Sequence, residues 1–210
     1  MTQDATFWDG IADRYAARPI DDPEAYHYTL DRTRSYLNAA DEVLELGCGT
    51  GSTALLLSSH VARYVASDVS PRMIEIGREK ARAQGETNVE FVASDLRDTQ
   101  LAGEVFDTVL ALNLLHLVRD LPEALDRIHG MIRPGGLLIS KTVCTPGKGA
   151  PFKFRLMKLL IPILQMLGKA PYVQIRPVAE LERLIAEAGF EIVEAGNHPP
   201  PSRYIVARRL

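Results

Sequence analysis

The chain has 210 residues, of which 46% are hydrophobic and 24% are charged, and its formal net charge at pH 7 is −3. The length fits one domain, and the composition is ordinary for a soluble globular protein. The two cysteines, Cys48 and Cys144, lack metal-ligand spacing and exclude a disulfide framework. The first residues, MTQDATFWDG, contain neither the basic nor the apolar stretch of an export signal, so we expect a cytoplasmic protein.

Charge is distributed unevenly along the chain. Residues 1–126 contain 22 acidic and 11 basic side chains, whereas residues 127–179 contain nine Lys or Arg and no Asp or Glu. The small net charge is therefore the average of an acidic body and a basic segment. Such asymmetry indicates a surface for a partner.

Short apolar runs alternate with amphipathic segments along most of the chain. After a helix that ends within 32–40, strands are predicted at 41–46, 63–68, 88–95, 106–113 and 135–143, with helices at 52–60, 70–85 and 121–132. In the helix at 70–85, Ser70 is a good N-cap, Pro71 suits the first turn and Gly85 ends it. A helix at 178–189 and strands at 190–195 and 202–209 follow. This order predicts an α/β fold with a largely parallel sheet, in which one of the last two strands is antiparallel.

Three glycines, Gly47, Gly49 and Gly51, follow the first predicted strand directly. Glycine permits sharp turns and the close approach of another molecule, and in open α/β sheets ligands bind at the carboxyl ends of strands. The turn therefore predicts a ligand site, although a plain tight turn explains the glycines as well. Ser52 stands where a dinucleotide fingerprint has its third glycine, which weakens a nicotinamide interpretation.

Acids or an amide stand at the ends of four predicted strands, namely Glu45, Asp68, Asp95 and Asn113. Asp68 lies 21 residues after Gly47, where a carboxylate can accept hydrogen bonds from both hydroxyls of a ribose. Asp95 is placed to accept from the exocyclic amine of an adenine. Each acid alone is explained as a solvated loop residue, but four in register favour a ligand site.

The segments ELGCGTG, ASDVSPRMIEIGREKA, FVASDL, FDTVLALNLLHLV and IRPGGLLIS resemble the ordered motifs of the class I S-adenosylmethionine-dependent methyltransferases. More narrowly, they and the opening FWDGIADRY are similar to the small bacterial branch related to quinone-biosynthesis methyltransferases. The resemblance is continuous over residues 43–143. It implies a Rossmann-like, mostly parallel sheet of seven strands in the order 3-2-1-4-5-7-6, with strand 7 antiparallel and helices on both faces.

The resemblance also implies which residues bind the cofactor S-adenosylmethionine: Tyr15, Glu45, Gly47, Cys48, Gly49, Gly51, Asp68, Val69, Met73, Asp95, Leu96 and Asn113. Glu45 and the turn that contains Gly47, Gly49 and Gly51, called the glycine turn below, would lie under the methionine part. Asp68 would hold the ribose. Tyr15 would close over the cofactor from the N-terminal helix. A core position for Met73 and a surface-packing role for Tyr15 are the alternatives.

A methyl sulfonium supplies its own reactivity, so a general base is needed only for an acceptor atom that is poorly ionised. His116 is the candidate base, and a histidine that lines the pocket without titrating is the alternative. Tyr26, His27 and Tyr28 are candidates to line an acceptor site. The sequence NLLH at 113–116 departs from the pattern of methyltransferases that act on base amines, and no basic face with interleaved aromatics is present. We therefore expect no nucleic-acid partner, and no metal site is predicted.

Residues 148–176 form an apolar, basic insert. Within 156–169 the polar positions form one helical stripe, Pro162 is expected to split the segment into two helices, and Lys158 excludes a membrane span. One interpretation is a pair of lid helices over a hydrophobic pocket. The other is an interfacial element at 148–169 that contacts an anionic membrane from its cytoplasmic side through Lys153, Arg155, Lys158 and Lys169.

The sequence thus predicts a single methyltransferase domain, 1–210, made of an N-terminal helical cap (1–40), a cofactor-binding core (41–147), the insert (148–176) and a C-terminal helix with a strand pair (177–210). The predicted reaction moves a methyl group from S-adenosylmethionine to a hydrophobic or amphipathic small molecule or lipid, leaving S-adenosylhomocysteine. The alternatives are a non-catalytic cofactor-binding or scaffold protein with the same fold, and a nicotinamide-dependent oxidoreductase.

Overall fold

The computed structural model describes residues 3–96, 101, 103–145, 165 and 170–210. In these residues the sheet consists of β1 Glu42–Leu46, β2 Arg63–Asp68, β3 Val89–Ala93, β4 Phe106–Leu112, β5 Ile132–Val143, β6 Phe190–Asn197 and β7 Ser202–Arg209. The seven strands have the order β3-β2-β1-β4-β5-β7-β6. Strands β1 to β5 pair in parallel, and β7 is antiparallel to both β5 and β6. The predicted fold class and strand order are confirmed.

Helices cover both faces of the sheet and comprise α1 Gln3–Ala16, α2 Pro23–Arg34, α3 Ser52–Leu57, α4 Pro71–Gln84, α5 Leu121–Met131 and α6 Val178–Glu187. The ends of α4 are as predicted, because the Ser70 hydroxyl accepts a hydrogen bond from the Met73 N–H (3.1 Å) and Gly85 has a φ of 67°. The helix predicted over 52–60 is shorter, since Ser58–His60 form a 3₁₀ turn. Serine side chains compete for backbone hydrogen bonds and weaken a helix at this point.

The core lies on both faces of the sheet, because alternate residues of the central strands point to opposite sides. In β1, Leu44 and Leu46 belong to one cluster, and Val43 belongs to the other. The first cluster is covered by α5 and α6 through Leu121, Leu125, Ile128, Leu181 and Ile185. The second is covered by α2, α3 and α4 through Leu30, Ala54, Leu57, Ile74 and Ala81. The sheet is thus fixed from both sides, and its carboxyl edge is a rigid base for loops.

Helix α1 packs on α4. Ala12 of α1 forms a small separate cluster with Met73 and Ile76 of α4. The Asp9 carboxylate accepts hydrogen bonds from the Arg72 N–H (3.1 Å) and from the Ser70 hydroxyl. Since α4 begins just after β2 ends, these contacts place α1 beside the carboxyl edge of the sheet.

Most of the predicted insert, including the two helices separated at Pro162, lies outside the described residues. Its last part is described and runs beside the loops after β4 and β5. There the Gln174 N–H donates to the His116 carbonyl (2.7 Å), and the Thr145 N–H donates to the Arg176 carbonyl (2.8 Å). Among the described helices, none has the length and apolar character needed to cross a membrane.

The ring of Phe91 in β3 fills the space next to Gly77 of α4, where an added Cβ would lie 2.5 Å from a ring atom. We expect Gly77→Ala to lower the free energy of unfolding by about 1–3 kcal/mol, because the buried ring must shift. Gly10 in α1 is the matched control, since no atom lies within 4 Å of its Cβ position. Gly10→Ala should raise the free energy of unfolding by about 0.5–1 kcal/mol through helix propensity alone. Urea unfolding measures both, and equal effects would contradict the role of Phe91.

Candidate active site

A cavity of about 740 Å³ opens at the carboxyl edge of the sheet, between the ends of β1, β2, β4 and β5 and helices α1 and α2. The predicted site residues that line it are Tyr15, Glu45, Gly47, Cys48, Gly49, Asp68, Val69, Met73, Asp95, Leu96 and Asn113. Gly51 and His116 are not among its described lining residues. The fold therefore brings residues from five separate parts of the chain to one place.

The glycine turn needs its glycines for both conformation and space. Gly47, Gly49 and Gly51 have φ values of 69°, 56° and 73°, a region that residues with a side chain seldom adopt. A Cβ at Gly47 would lie 2.9 Å from the Leu114 side chain, and one at Gly51 would lie 2.5 Å from the Phe91 ring. At Gly49 a Cβ would meet only the Tyr15 ring, at 3.8 Å. Gly51 thus serves packing, while Gly49 keeps the backbone open to the cavity under Tyr15.

Asp68 ends β2 and connects two turns. One carboxylate oxygen accepts a hydrogen bond from the Gly49 N–H, and the other accepts one from the Ser70 N–H, both at 2.9 Å. Burial raises the pKa of this carboxyl group, and the two N–H donors oppose the shift. Each oxygen still has a lone pair for a ligand in the cavity.

Glu45 of β1 is almost fully buried, with 3% of its surface exposed. Its carboxylate accepts a hydrogen bond from the Tyr64 hydroxyl (3.0 Å). Burial raises the pKa of Glu45 to about 7, and the charge of Asp68 adds to the shift while the Tyr64 hydroxyl opposes it. Among the described residues no cation pairs with either carboxylate. Two carboxyl groups without a cationic partner among the described residues therefore lie at the floor of the cavity.

The remaining predicted residues differ in their surroundings. Met73 is 2% exposed and packs between α1 and α4, which agrees with a core position as well as with a place on the cavity wall. Strand β3 ends at Ala93, so Asp95 lies in the loop after the strand rather than at its end. Asn113 has a φ of 61° and follows β4, and its N–H donates to the Lys141 carbonyl (2.7 Å).

His116 lies in a 3₁₀ turn after β4. Burial lowers its pKa to about 4, and its Nδ1 has no hydrogen-bond partner among the described residues. A general base works best when its pKa is near the working pH. Neither its place nor its pKa favours the role of general base, which stays an untested prediction.

The acceptor side of the cavity contains residues that the sequence indicated and others that it did not. Tyr26 lines the cavity, with its hydroxyl 3.5 Å from the Thr53 hydroxyl, whereas His27 and Tyr28 are not among the lining residues. Two unpredicted lysines line it, Lys80 and Lys141. The sequence did contain a sign of Lys141, namely a charged residue within the predicted strand GGLLISKTV, at a position that shares a face with buried Ile139.

Comparison with known proteins agrees with this geometry. Residues 43–136 match the family model described as a methyltransferase domain. The chain is 33% identical over 156 residues to the ubiquinone biosynthesis O-methyltransferase of Rhizobium etli (strain ATCC 51251), which covers 72% of this chain and 60% of that protein. The chain thus spans about three fifths of the length of this relative.

Two solved structures illustrate the fold. The DhpI–SAH complex superposes with a TM-score of 0.75 at 23% identity and covers 99% of this chain and 95% of its own. The [4+2]-cyclase SpnF superposes with a TM-score of 0.70 at 18% identity, over 87% of this chain and 80% of its own. At such identities the likeness shows the fold alone.

The motifs, the strand order and the family match define a nucleotide-cofactor site in a class I fold. Residues 43–136 match a methyltransferase domain, and the strand order is the one that the resemblance to the class I S-adenosylmethionine-dependent methyltransferases implied. The site fits S-adenosylmethionine. The open space at Gly49 leaves room for a ligand against the backbone, and the Glu45 and Asp68 carboxylates suit a cofactor that carries both a positive charge and a ribose.

The raised pKa of Glu45 predicts pH-dependent stability. The pKa of this carboxyl group is about 7 in the folded protein and 4.5 in the unfolded chain. Its contribution to the free energy of unfolding is therefore fully present below pH 4.5 and is lost as the pH rises through 7. The glutamine of Glu45→Gln cannot ionise. In the absence of ligand, the free energy of unfolding of this variant should therefore rise by about 2–4 kcal/mol relative to the wild type between those pH values. Urea unfolding at several pH values measures the difference.

Tyr64→Phe is the companion variant for this prediction. It removes the hydrogen bond that lowers the pKa of Glu45, so the pH midpoint should move upward. A constant difference between wild type and Glu45→Gln at all pH values would contradict the assignment.

Proposed function

We propose that this protein transfers a methyl group from S-adenosylmethionine to a hydrophobic or amphipathic small molecule or lipid. The observation that carries the proposal is the single cavity that joins the glycine turn, Asp68, Asp95 and Asn113. Leu112, Leu114, Leu117 and Val118 give the part of the cavity beyond Asn113 an apolar wall. A quinone-type acceptor is supported by the name of the Rhizobium etli relative.

The residues of the chain would bind and orient. S-adenosylmethionine supplies an electrophilic methyl group, whose transfer leaves a neutral thioether. Asp68 and Asp95 would bind the nucleoside, and Glu45 with the glycine turn would face the charged methionyl end. Tyr15 and Tyr26 would exclude water from above, and holding the acceptor in line could lower the barrier by several kcal/mol.

Calorimetric titration tests cofactor choice. We expect the protein to bind S-adenosylmethionine and S-adenosylhomocysteine and to give no heat with NAD. Asp68→Asn should weaken cofactor binding by about 1.5–3 kcal/mol, the range for hydrogen bonds to a charged group. Asp31→Asn, at an exposed pair with Arg34, is the matched control and should bind as the wild type does. NAD binding without a response to the sulfonium, or a folded Asp68→Asn with unchanged affinity, would contradict the proposal.

Turnover separates the enzyme from a non-catalytic binding protein of the same fold. Hydroquinones with and without an alkyl side chain, incubated with S-adenosylmethionine, should differ in the yield of methylated product in favour of the alkylated one. Normal cofactor binding without any methylated product from a broad set of hydrophobic acceptors would favour the non-catalytic alternative.

A peripheral membrane contact through residues 148–169 remains a proposal from the sequence. In the sequence, four cations, Lys153, Arg155, Lys158 and Lys169, accompany an apolar stretch, and each basic residue near an anionic lipid surface contributes about 1 kcal/mol. We expect co-sedimentation with anionic vesicles that high salt weakens, and none with neutral vesicles. The variant with all four changed to Gln should stay in the supernatant. Equal, negligible sedimentation in every condition would leave the lid interpretation.

A further inference from the structure

Among the described residues, five basic side chains line the cavity, and they differ in their partners. The three arginines each form an ion pair, Arg18 with Asp21 (2.6 Å), Arg119 with Asp4 (3.5 Å) and Arg127 with Glu123 (3.0 Å). Lys80 donates to three oxygen acceptors. Lys141 has one neutral partner, the Thr29 hydroxyl at 3.0 Å. No carboxylate of the described chain forms an ion pair with it. Lys141 therefore has the fewer hydrogen-bond acceptors of the two cavity lysines, and the carboxylate that acts on it, Asp22, is not within ion-pair distance.

The position of Lys141 is well defined. It lies in β5, in register with Leu112 of β4 and Tyr204 of β7. The Thr29 hydroxyl donates to the Ala25 carbonyl (2.8 Å), so its lone pairs are left to accept from the Lys141 ammonium. An ammonium has three N–H donors. Two of them have no acceptor among the described residues and are available to a ligand in the cavity.

The strand order places Lys141 on the acceptor side. The residues assigned above to the nucleoside follow β2 and β3, and those assigned to the methionyl end follow β1 and β4. Strand β5 is the next strand beyond β4, and the Lys141 carbonyl accepts from the Asn113 N–H. This assignment of sides rests on the proposed function.

The chemistry of a half-buried lysine indicates what it binds. Burial lowers the pKa of Lys141, because removal of a cation from water is unfavourable, and the charge of the Asp22 carboxylate opposes this shift. An anion in the cavity would offset that cost. Carboxylates and phosphates are matched best by the bidentate fork of arginine, whereas a lysine is a point charge that suits a single oxygen. The apolar wall near it, with Leu112 and Leu114, suits the body of a ring.

We propose that Lys141 is an acceptor-binding residue and that the acceptor presents one anionic oxygen, the ionised hydroxyl of a phenol or enol, on an apolar body. The hydroxyl proton passes to solvent as the oxyanion pairs with the ammonium, and no protein base is required. Thr29 is the positioning residue that holds the ammonium. The absence of His116 from the described cavity wall is consistent with such a site.

Binding of 4-nitrophenol tests the proposal, because its phenolate is visible by absorption. Nitrobenzene is the neutral probe of similar shape, benzoate is the carboxylate probe, and all are titrated with saturating S-adenosylhomocysteine. The wild type should bind the phenolate about tenfold or more tightly than nitrobenzene and more tightly than benzoate. Lys141→Met should abolish this preference, and Lys141→Arg should keep part of it.

Controls keep the outcomes distinct. Arg183→Gln, at an exposed ion pair of α6, should leave the preference unchanged. Thr29→Val keeps the charge of Lys141, removes the hydrogen bond to its ammonium and should weaken the preference for the phenolate. An unchanged preference in this variant would overturn the positioning role of Thr29. Equal binding of the probes, no phenolate binding, tighter benzoate binding, or an undiminished preference in Lys141→Met would overturn the proposal. Calorimetry with S-adenosylhomocysteine on each variant verifies its fold. Methylation of the alkylated hydroquinone by the wild type shows that the proposed function stands even if the phenolate preference fails.

Discussion

The Asp68 carboxylate joins the parts of the molecule on which the cavity depends. Its two oxygens hold the Gly49 and Ser70 N–H groups, each at 2.9 Å, and thereby fix the glycine turn relative to the start of α4. Ser70 also caps α4 and donates to Asp9 of α1. One continuous hydrogen-bonded path therefore runs from the turn, through the end of β2, to the N-terminal helix. This path fixes α1, which carries Tyr15, relative to the glycine turn.

Burial disfavours the charged forms of the Glu45 and Asp68 carboxyl groups at the cavity. Glu45 and Asp68 are both largely withdrawn from water, and each described neighbour that opposes the raised pKa values is a neutral hydroxyl or N–H donor. A cation bound beside these carboxyl groups would oppose the shift of their pKa values. Sites of this kind lower stability in exchange for function. The Glu45–Tyr64 hydrogen bond limits the cost without removing the acid.

The individual strands and helices followed from the sequence because their determinants are local, whereas the strand order followed from the resemblance to a known family. Buried strands of about five residues, the Ser70 and Gly85 caps and the lack of a helix between the last two strands are each legible in a short window. The packing role of Gly51 was not, since it depends on Phe91, which is 40 residues further along the chain. Lys141 was missed for the same reason: its partner Thr29 lies 112 residues away, and only the register of β5 against β4 brings it to the cavity.

The difference between local and long-range determinants also separates the part of the site proposed for the methyl donor from the part proposed for the methyl acceptor. The residues proposed to bind the cofactor after β1, β2 and β3 lie at the end of a strand or within a few positions of it, so a linear motif records them. The lining residues proposed to face the acceptor come from α2, the turn after β4, β5 and the segment at 171–172, which no short motif can connect. Similarity between sequences therefore identifies the cofactor long before it identifies the acceptor. What distinguishes acceptors must be found in three-dimensional features, such as a lysine that has a single neutral partner in a cavity where the described arginines are paired.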